Sequence, residues 1–375
     1  MSDSAQISLL TNTPWDKEVY ALFGHTAIRI NDPANELDVV FNYGIFDFDS
    51  PNFMYRFVKG ETDYMVAGYP FTQYLWGYKN RGIGITEQIL NLTNNEKQKI
   101  FDALVTNALP ENRVYRYNYF YDNCSTRPRD IILKNLEGQI NHKNVDSKRF
   151  ETYRYYVHRC VSSHPWVMFG IDLVIGADAD KVITDSQKDF LPANLFHSFS
   201  KIEVKNKSAD GYYDLVYNEI EILKPQREEA DSLPSIFTPL FVGCIVLLIS
   251  IMISILQIKK EYKVLPKIFD FILFFVAGIA GCIIFFLMYF SLHPCTNPNW
   301  NLVWLNPVQI IASILFLIKS TSKYVYYYHF INFAVLIVFM LAWFLIPQYL
   351  EIAFIPYILA LCIRSGVNFV KYRKG

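Results

Sequence analysis

Hydrophobic and polar positions divide this chain near Ser235. Upstream, apolar residues come in short bursts. Residues 6–10, 27–30, 39–41 and 84–92 are apolar or alternating runs bounded by Asn, Asp, Pro and Gly, which predicts strands. Asn31-Asp32-Pro33 predicts a turn after the second of them. Thr93 or Asn94, then Glu96, then the apolar positions Ile100, Leu104 and Val105 predict a helix with an N-terminal cap. Residues 113–119 read as extended and aromatic. Residues 125–133 read as a helix capped by Asp122 or Asn123. Pro128 falls in its first turn, where a missing N–H costs nothing. Residues 152–159 and 166–175 are further helix candidates, and 201–222 read as strand and linker.

Downstream, the runs lengthen and lose their charge. Residues 236–258 carry no charged side chain, 268–290 only Asp270, 301–318 none, and 328–346 only His329. Each approaches or exceeds the roughly 18–20 apolar residues that cross a bilayer. Residues 348–363 are shorter and contain Glu351 and Pro356, yet read as a fifth span. The expected architecture is an outer α+β domain over residues 1–230 followed by a helical transmembrane bundle over 235–375.

Charge supports the fifth span. The chain has 375 residues, with 35 Lys/Arg balanced by 35 Asp/Glu. Beyond Ser235, however, there are ten basic residues and three acidic ones. With five spans and the N-terminal half outside, Lys259–Lys267, Lys319–Lys323 and the tail from Arg364 all fall on the cytoplasmic side. This is the positive-inside arrangement. Four spans would put the C-terminal basic cluster outside. The first half must then be exported. The stretch Met1-Ser2-Asp3-Ser4 has no basic or apolar region of a signal peptide, so the signal is expected to have been cleaved or to lie outside the sequence. The expected location is a bacterial inner membrane, with the first domain periplasmic and the C-terminus cytoplasmic.

Six cysteines are spread thinly, with no CxxC pair and no Cys/His zinc spacing. Cys124 stands out. It lies where a helix begins, in Tyr121-Asp122-Asn123-Cys124-Ser125-Thr126-Arg127-Pro128-Arg129-Asp130. Helix-terminal N–H groups and the nearby Arg127 and Arg129 favour a thiolate, and the amides of Cys124 and Ser125 are candidates to hold an oxyanion. A small buried core cysteine is the competing reading, as is a bridge to Cys160 in an oxidising compartment. His25 follows Gly24 at a strand's start and is a candidate base. If its strand pairs with the next one, Asn42 lies beside it and orients the imidazole as the third member of a triad. A plain turn residue is the alternative for Asn42, and a structural histidine that for His25. His158 and His164 read as structural.

The segments Ile7-Ser8-Leu9-Leu10-Thr11, Phe23-Gly24-His25-Thr26-Ala27, Phe41-Asn42-Tyr43-Gly44, Pro51-Asn52-Phe53 and Tyr121 to Pro128 resemble the periplasmic domain of the Lnb-type lipoprotein N-acyltransferases. So do His164-Pro165-Trp166, Phe169-Gly170-Ile171-Asp172-Leu173, Phe190-Leu191-Pro192 and, in the membrane half, Asn299-Trp300-Asn301-Leu302. The order His25 then Cys124 also resembles the permuted branch of the papain-like (NlpC/P60-like) fold, which includes lecithin:retinol acyltransferase-like enzymes. Those enzymes usually carry a second histidine on the following strand. Here Asn42 takes that position, with Asp47 and Tyr43 as other candidates for the third member.

The resemblance implies a reaction. Cys124 takes an acyl chain from a membrane phospholipid, with His25 as base, and passes it to the α-amine of a lipoprotein's diacylglyceryl-cysteine. No metal or other cofactor and no nucleic acid enters this scheme. Its partners are a phospholipid donor, a diacylated lipoprotein acceptor and the surrounding lipids. Asn123, Ser125, Arg127, Arg129 and Tyr43 are expected to line the substrate site, with Arg116 as a further phosphate contact; pairing within the domain is the alternative for the arginines. His293, Asn299 and Trp300 of an outer loop are expected to form a lip at headgroup level, an ordinary turn with an interfacial tryptophan anchor being the alternative. A membrane-anchored thiol hydrolase, either a phospholipase or a cell-wall amidase, shares the Cys/His pair, but a soluble hydrolase would not need five spans. A lipoprotein-binding module without catalysis is the third reading.

Overall fold

A computed structural model describes residues 1–46, 49, 51–142, 151–205, 211–226, 236–259, 262 and 264–372. The chain divides into two compact units. One comprises Met1–Cys160 and Val182–Asp231, the other Val161–Lys181 and Ser232–Gly375.

The first unit is a mixed α/β domain. Strands β1 (Gln6–Asn12), β2 (His25–Asp32), β3 (Leu37–Ile45), β4 (Asp63–Pro70), β5 (Ile85–Leu90), β6 (Val114–Arg116) and β10 (Val216–Leu223) form one antiparallel sheet in the order β10-β5-β1-β2-β3-β4-β6. A small second sheet joins β7 (Ile140–His142), β8 (Ile202–Lys205) and β9 (Tyr212–Asp214). The helices are α1 (Phe53–Lys59), α2 (Phe71–Asn80), α3 (Asn94–Ala108), α4 (Thr126–Lys134), α5 (Tyr153–Val161), α7 (Asp185–Lys188) and α8 (Pro192–Phe199).

Alternation along the central strands builds two cores, because successive side chains point to opposite faces. Ile7, Leu9, Ile28, Ile30, Phe41 and Tyr43 face Ile100 and Leu104 of α3, Ile132 of α4 and Leu195 of α8. Leu10, Ala27, Val40 and Ile85 face Phe71 and Tyr74 of α2. A sheet covered on both faces explains why its strands read as near-continuous apolar runs. Helix α3 begins with the expected capping box, Thr93 with Glu96. Residues 53–80, which carry no strong period in the sequence, supply α1, β4 and α2.

The second unit is helical: α6 (Pro165–Val174), α9 (Pro239–Ile258), α10 (Leu265–Tyr289), α11 (Val308–Leu315), α12 (Ser322–Leu341) and α13 (Ile355–Tyr372). Among the described residues, four stretches are long and apolar enough to cross a membrane: Pro239–Ile258, Leu265–Tyr289, Lys319–Leu341 and Ile352–Tyr372. The expected span at 301–318 is not a full-length helix. It is a 3-10 turn, Trp300–Val303, followed by the eight-residue α11. Pro307 interrupts the segment, since it can neither donate a backbone hydrogen bond nor admit a helical residue before it. The broken stretch packs backbone to backbone on α10. A Cβ on Gly278 would lie 2.6 Å from the amide nitrogen of Ile310, and one on Gly281 2.6 Å from the carbonyl oxygen of Leu305. Small residues permit such close approach between membrane helices.

The last span lies further along the chain than expected, at Ile352–Tyr372 rather than 348–363. Arg364, expected in a cytoplasmic tail, is fully buried in the bundle. Its Nε and Nη2 grip the Asp270 carboxylate at 2.6 and 2.9 Å, while Nη1 donates to Ser254 Oγ at 2.7 Å and Nη2 to Gln257 Oε1 at 2.5 Å. Asn368 Nδ2 donates to Asp270 Oδ2 at 2.7 Å. Ionisable groups are costly in hydrocarbon and persist there when paired. This network joins α9, α10 and α13 in one register.

Removing one member leaves the other charged and buried without its partner, which typically costs about 3–5 kcal/mol. Asp270→Leu and Arg364→Met should each lower the thermal midpoint of the detergent-solubilised full chain by many degrees. The double variant should recover part of the loss. Single variants as stable as the parent would show that the pair does not hold the bundle.

Candidate active site

Two loops bring the reactive side chains together. The first precedes β2. Gly24 has φ +76°, and a Cβ there would sit 2.8 Å from the Asn12 carbonyl oxygen. Glycine therefore permits the tight entry that makes His25 the first residue of β2, opposite Asn12. The expected pairing of β2 with β3 forms, with Ala27 opposite Asn42. One end of the β2–β3 pair thus carries His25 and Asn42 together.

The second loop carries Cys124. Asn118 and Asp122 exchange backbone hydrogen bonds at 2.9 Å, closing a turn. Asn123 then caps α4. Its Oδ1 accepts from the amides of Ser125 at 2.7 Å and Thr126 at 2.9 Å, and its own amide donates to Thr126 Oγ1 at 2.8 Å. Its Nδ2 donates to the carbonyls of Tyr119 at 2.7 Å and Phe190 at 2.9 Å. Ser125 Oγ donates to the Asp189 carbonyl at 2.8 Å. The Asp189-Phe190 backbone therefore pins the cysteine turn, while the ring of Pro192 lies against Gly24 in the histidine loop.

Cys124, half-buried, is hydrogen-bonded to His25, and its sulfur also accepts the Thr26 amide. His25 Nε2 bonds Asn42 Oδ1, so Nδ1 is the ring nitrogen left for the sulfur. Asn42 Nδ2 in turn donates to the Tyr69 hydroxyl at 2.7 Å. Burial opposes charge on both Cys124 and His25, but each group's charge stabilises the other's. The balance leaves the Cys124 thiol below the usual thiol range and the His25 imidazole above its usual value. Both shifts run in the direction of a thiolate–imidazolium pair, the form in which a cysteine nucleophile is activated. Gly44, at φ +91° beside a bulge between β3 and β4, lies against the cysteine: a Cβ there would be 3.4 Å from that of Cys124. Tyr64, Tyr78, Tyr115, Tyr117 and Tyr119 surround the site. Burial above all raises these phenols' pKa values, and the charge of the Cys124 sulfur adds to it.

The other expected site residues are placed differently. All four side-chain hydrogen-bonding positions of Asn123 are engaged in the cap, and the side chain is 2 % exposed. The Ser125 amide, expected as an oxyanion donor, is instead held by Asn123. Arg127 forms a bidentate pair with Asp122 at 2.5 and 2.7 Å and stacks on Tyr115. Arg129 binds Asp130 and the Ser186 carbonyl, and Arg116 binds Asp63. Tyr43 is fully buried on the opposite side of β3 from Asn42. Its hydroxyl accepts from Asn107, and burial pushes its pKa up to about 12. Asp47 lies outside the described residues. Cys124 and Cys160 are both free thiols.

His293, Asn299 and Trp300 belong to the second unit. There Asn299 Nδ2 donates to the Leu173 carbonyl at 2.8 Å, and Asn301 Nδ2 to that of Asp172 at 2.9 Å, closing the C-terminus of α6. Asn299 Oδ1 accepts the Asn301 amide, and the Trp300 amide donates to Gln348. Trp300 keeps its ring partly exposed, at 39 %. Sequence reasoning missed Tyr69 and the Asp189-Phe190 carbonyls. Phe190-Leu191-Pro192 was visible as a motif, but nothing in it indicated which loops it joins.

Fold and site together define a membrane protein whose mixed α/β domain carries a cysteine–histidine–asparagine constellation. Residues 1–159 match the model of the Lnb N-terminal periplasmic domain, and residues 230–375 that of the Lnb transmembrane domain. The chain belongs to the Lnb family, with a periplasmic domain followed by a transmembrane one, as expected of an inner-membrane protein. No curated protein and no solved structure matches it significantly.

Two outcomes follow from this geometry. In wild type, Cys124 should be alkylated by iodoacetamide at pH values well below the ordinary thiol range. His25→Ala leaves burial without its countercharge, so alkylation of Cys124 at pH 7 should slow by about tenfold or more; an unchanged rate would exclude the charge pair. Asn123→Ala removes the cap and strands two amides and two carbonyls. It should cost about 2 kcal/mol or more, read as a lower thermal midpoint.

Proposed function

We propose that this protein is a lipoprotein N-acyltransferase. The observation that carries the reading is the Cys124–His25–Asn42 chain at the start of α4, in a periplasmic domain joined to a membrane bundle. A cysteine nucleophile with an oriented base divides one difficult acyl transfer into two easier ones.

In the first step the Cys124 thiolate attacks the carbonyl carbon of a phospholipid acyl ester. The Cys124 amide faces the developing oxyanion. As the tetrahedral intermediate collapses, the C–O bond breaks and His25 gives its proton to the departing lysophospholipid oxygen. A thioester remains on Cys124, and His25 is neutral. In the second step the α-amine of a diacylglyceryl-cysteine attacks the thioester. His25 takes a proton from the amine, the C–S bond breaks, and the thiolate–imidazolium pair returns. The product is an N-acylated, triacylated lipoprotein. Asn42 holds the imidazole so that the same ring nitrogen serves both steps.

The order of the site residues, His25 and Asn42 on neighbouring strands and Cys124 later at a helix start, supports a permuted papain-like arrangement. The aromatic side chains around the sulfur supply apolar walls suited to an acyl chain. Both substrates keep their tails in lipid, which accounts for a membrane domain. Five passes, with the broken Trp300–Leu315 segment as the third, put the C-terminus in the cytoplasm and agree with the positive-inside rule.

The test is intact mass of the purified full chain incubated with labelled phospholipid, with and without a diacylated lipopeptide. Wild type should gain one acyl mass on Cys124, discharged by the lipopeptide and absent in Cys124→Ser. Discharge to water at the same rate would indicate a hydrolase. Absence of any adduct in wild type would sink the scheme.

A further inference from the structure

The acceptor that orients the base is itself oriented, and the side chain that does this belongs to neither reading of the sequence motifs. Asn42 Nδ2 donates to the Tyr69 hydroxyl at 2.7 Å. Tyr69 lies on β4, where it pairs with Val40, and so projects from the same face of the sheet as Asn42. Its ring stacks on Tyr74, 6.2 Å between centroids, and Tyr74 donates to Asn12 Oδ1 at 2.9 Å. Asn12 stands opposite His25 in the β1–β2 register. The base is thus backed by a connected layer of tyrosine and asparagine side chains.

A neutral carboxamide differs from a carboxylate in one respect that matters here. It has an accepting end and a donating end. An imidazolium carries N–H on both nitrogens, so it requires the accepting end of Asn42 at Nε2. The donating end must then face the other way, in a setting where an unsatisfied N–H costs about 1–3 kcal/mol. The Tyr69 hydroxyl accepts it there. If that acceptor is lost, the orientation that suits the imidazolium loses its support. The amide is free to turn and present a donor to the ring, which then suits a neutral imidazole protonated on the wrong nitrogen. We propose that Tyr69 is a positioning residue of this site: its hydroxyl fixes the Asn42 amide, and through it the protonation state of His25 and the reactivity of Cys124. The proposal rests on the Cys124–His25 pair being the reactive centre, but not on the identity of the acyl donor or acceptor.

The experiment is the pH profile of Cys124 alkylation by iodoacetamide. It is read by peptide mass on the full chain in detergent and needs no lipid substrate. Tyr69→Phe should keep the parent's thermal midpoint within a few degrees, while alkylation at low pH slows by about two- to tenfold, the loss of one hydrogen bond. The decisive comparison is the same change in an Asn42→Asp background. A carboxylate accepts with either oxygen and has no donor to satisfy, so Tyr69→Phe should there leave the low-pH alkylation rate undiminished. Equal slowing in both backgrounds would overturn the proposal in favour of general packing, and no slowing in the Asn42 background would overturn it outright. Tyr69→Leu gives an independent reading. It lacks the same hydroxyl, so it should match Tyr69→Phe, and a much larger loss would assign the role to the ring. Because the readout is alkylation, these outcomes remain separate from the acyl-adduct assay, which alone decides whether acyl transfer occurs.

Discussion

A thiolate held half-buried among tyrosines is stable only against a positive charge, and a buried imidazolium is stable only against a negative one. At Cys124 and His25 each group's charge favours the other's against burial, with the Thr26 amide and Asn42 adding to it. The arrangement of the first unit follows from bringing these two loops together. Gly24 lets the chain enter β2 tightly enough for His25 to stand at the strand's first position. Asn123 caps α4 and fastens the cysteine turn to the Asp189-Phe190 backbone. Gly44 lets β3 pass close beside Cys124. A seven-stranded sheet buried on both faces gives the rigid edge on which such placement depends.

The second unit meets the same physical problem with a different solution. Asp270 and Arg364 are also opposite charges taken out of water, but here every near neighbour completes the hydrogen bonding, and no group is left exposed to react. One pair is kept incomplete and accessible, and the other is closed. The contrast separates the charge pair proposed to react from one that fixes helix register.

Much of this was legible in the sequence, for identifiable reasons. The apolar runs of β1, β2 and β3 marked the central strands, and the turn after Asn31-Asp32 implied the pairing that brings Asn42 towards His25. Asn123 was one of two residues expected to cap α4, and Thr93 with Glu96 marked the start of α3. What escaped depended on contacts remote in sequence. Tyr69 matters because β4 pairs with β3, and no local period in residues 53–80 announces that strand. The arginines near Cys124 could be read as phosphate contacts or as paired within the domain, because acidic neighbours carry no geometry in a sequence; Arg127 closes on Asp122, and Arg129 on Asp130. Arg364 looked like a membrane flank because its partner, Asp270, lies 94 residues away. Asn299, read as a headgroup contact, serves the end of α6, which only the packed second unit brings to it.

The mutual charge of Cys124 and His25 can be tested most directly from the histidine side. In a detergent-solubilised full chain labelled at its histidine rings, the His25 resonance can be followed by NMR through a pH titration in wild type and in Cys124→Ala. With the pair charged, His25 should titrate above the ordinary histidine value of about 6.5 in wild type. It should fall in Cys124→Ala, where only the Asn42 hydrogen bond is left to oppose burial of the charged ring. A His25 titration unchanged by loss of the sulfur would contradict the charge pair on which the site and its proposed chemistry rest.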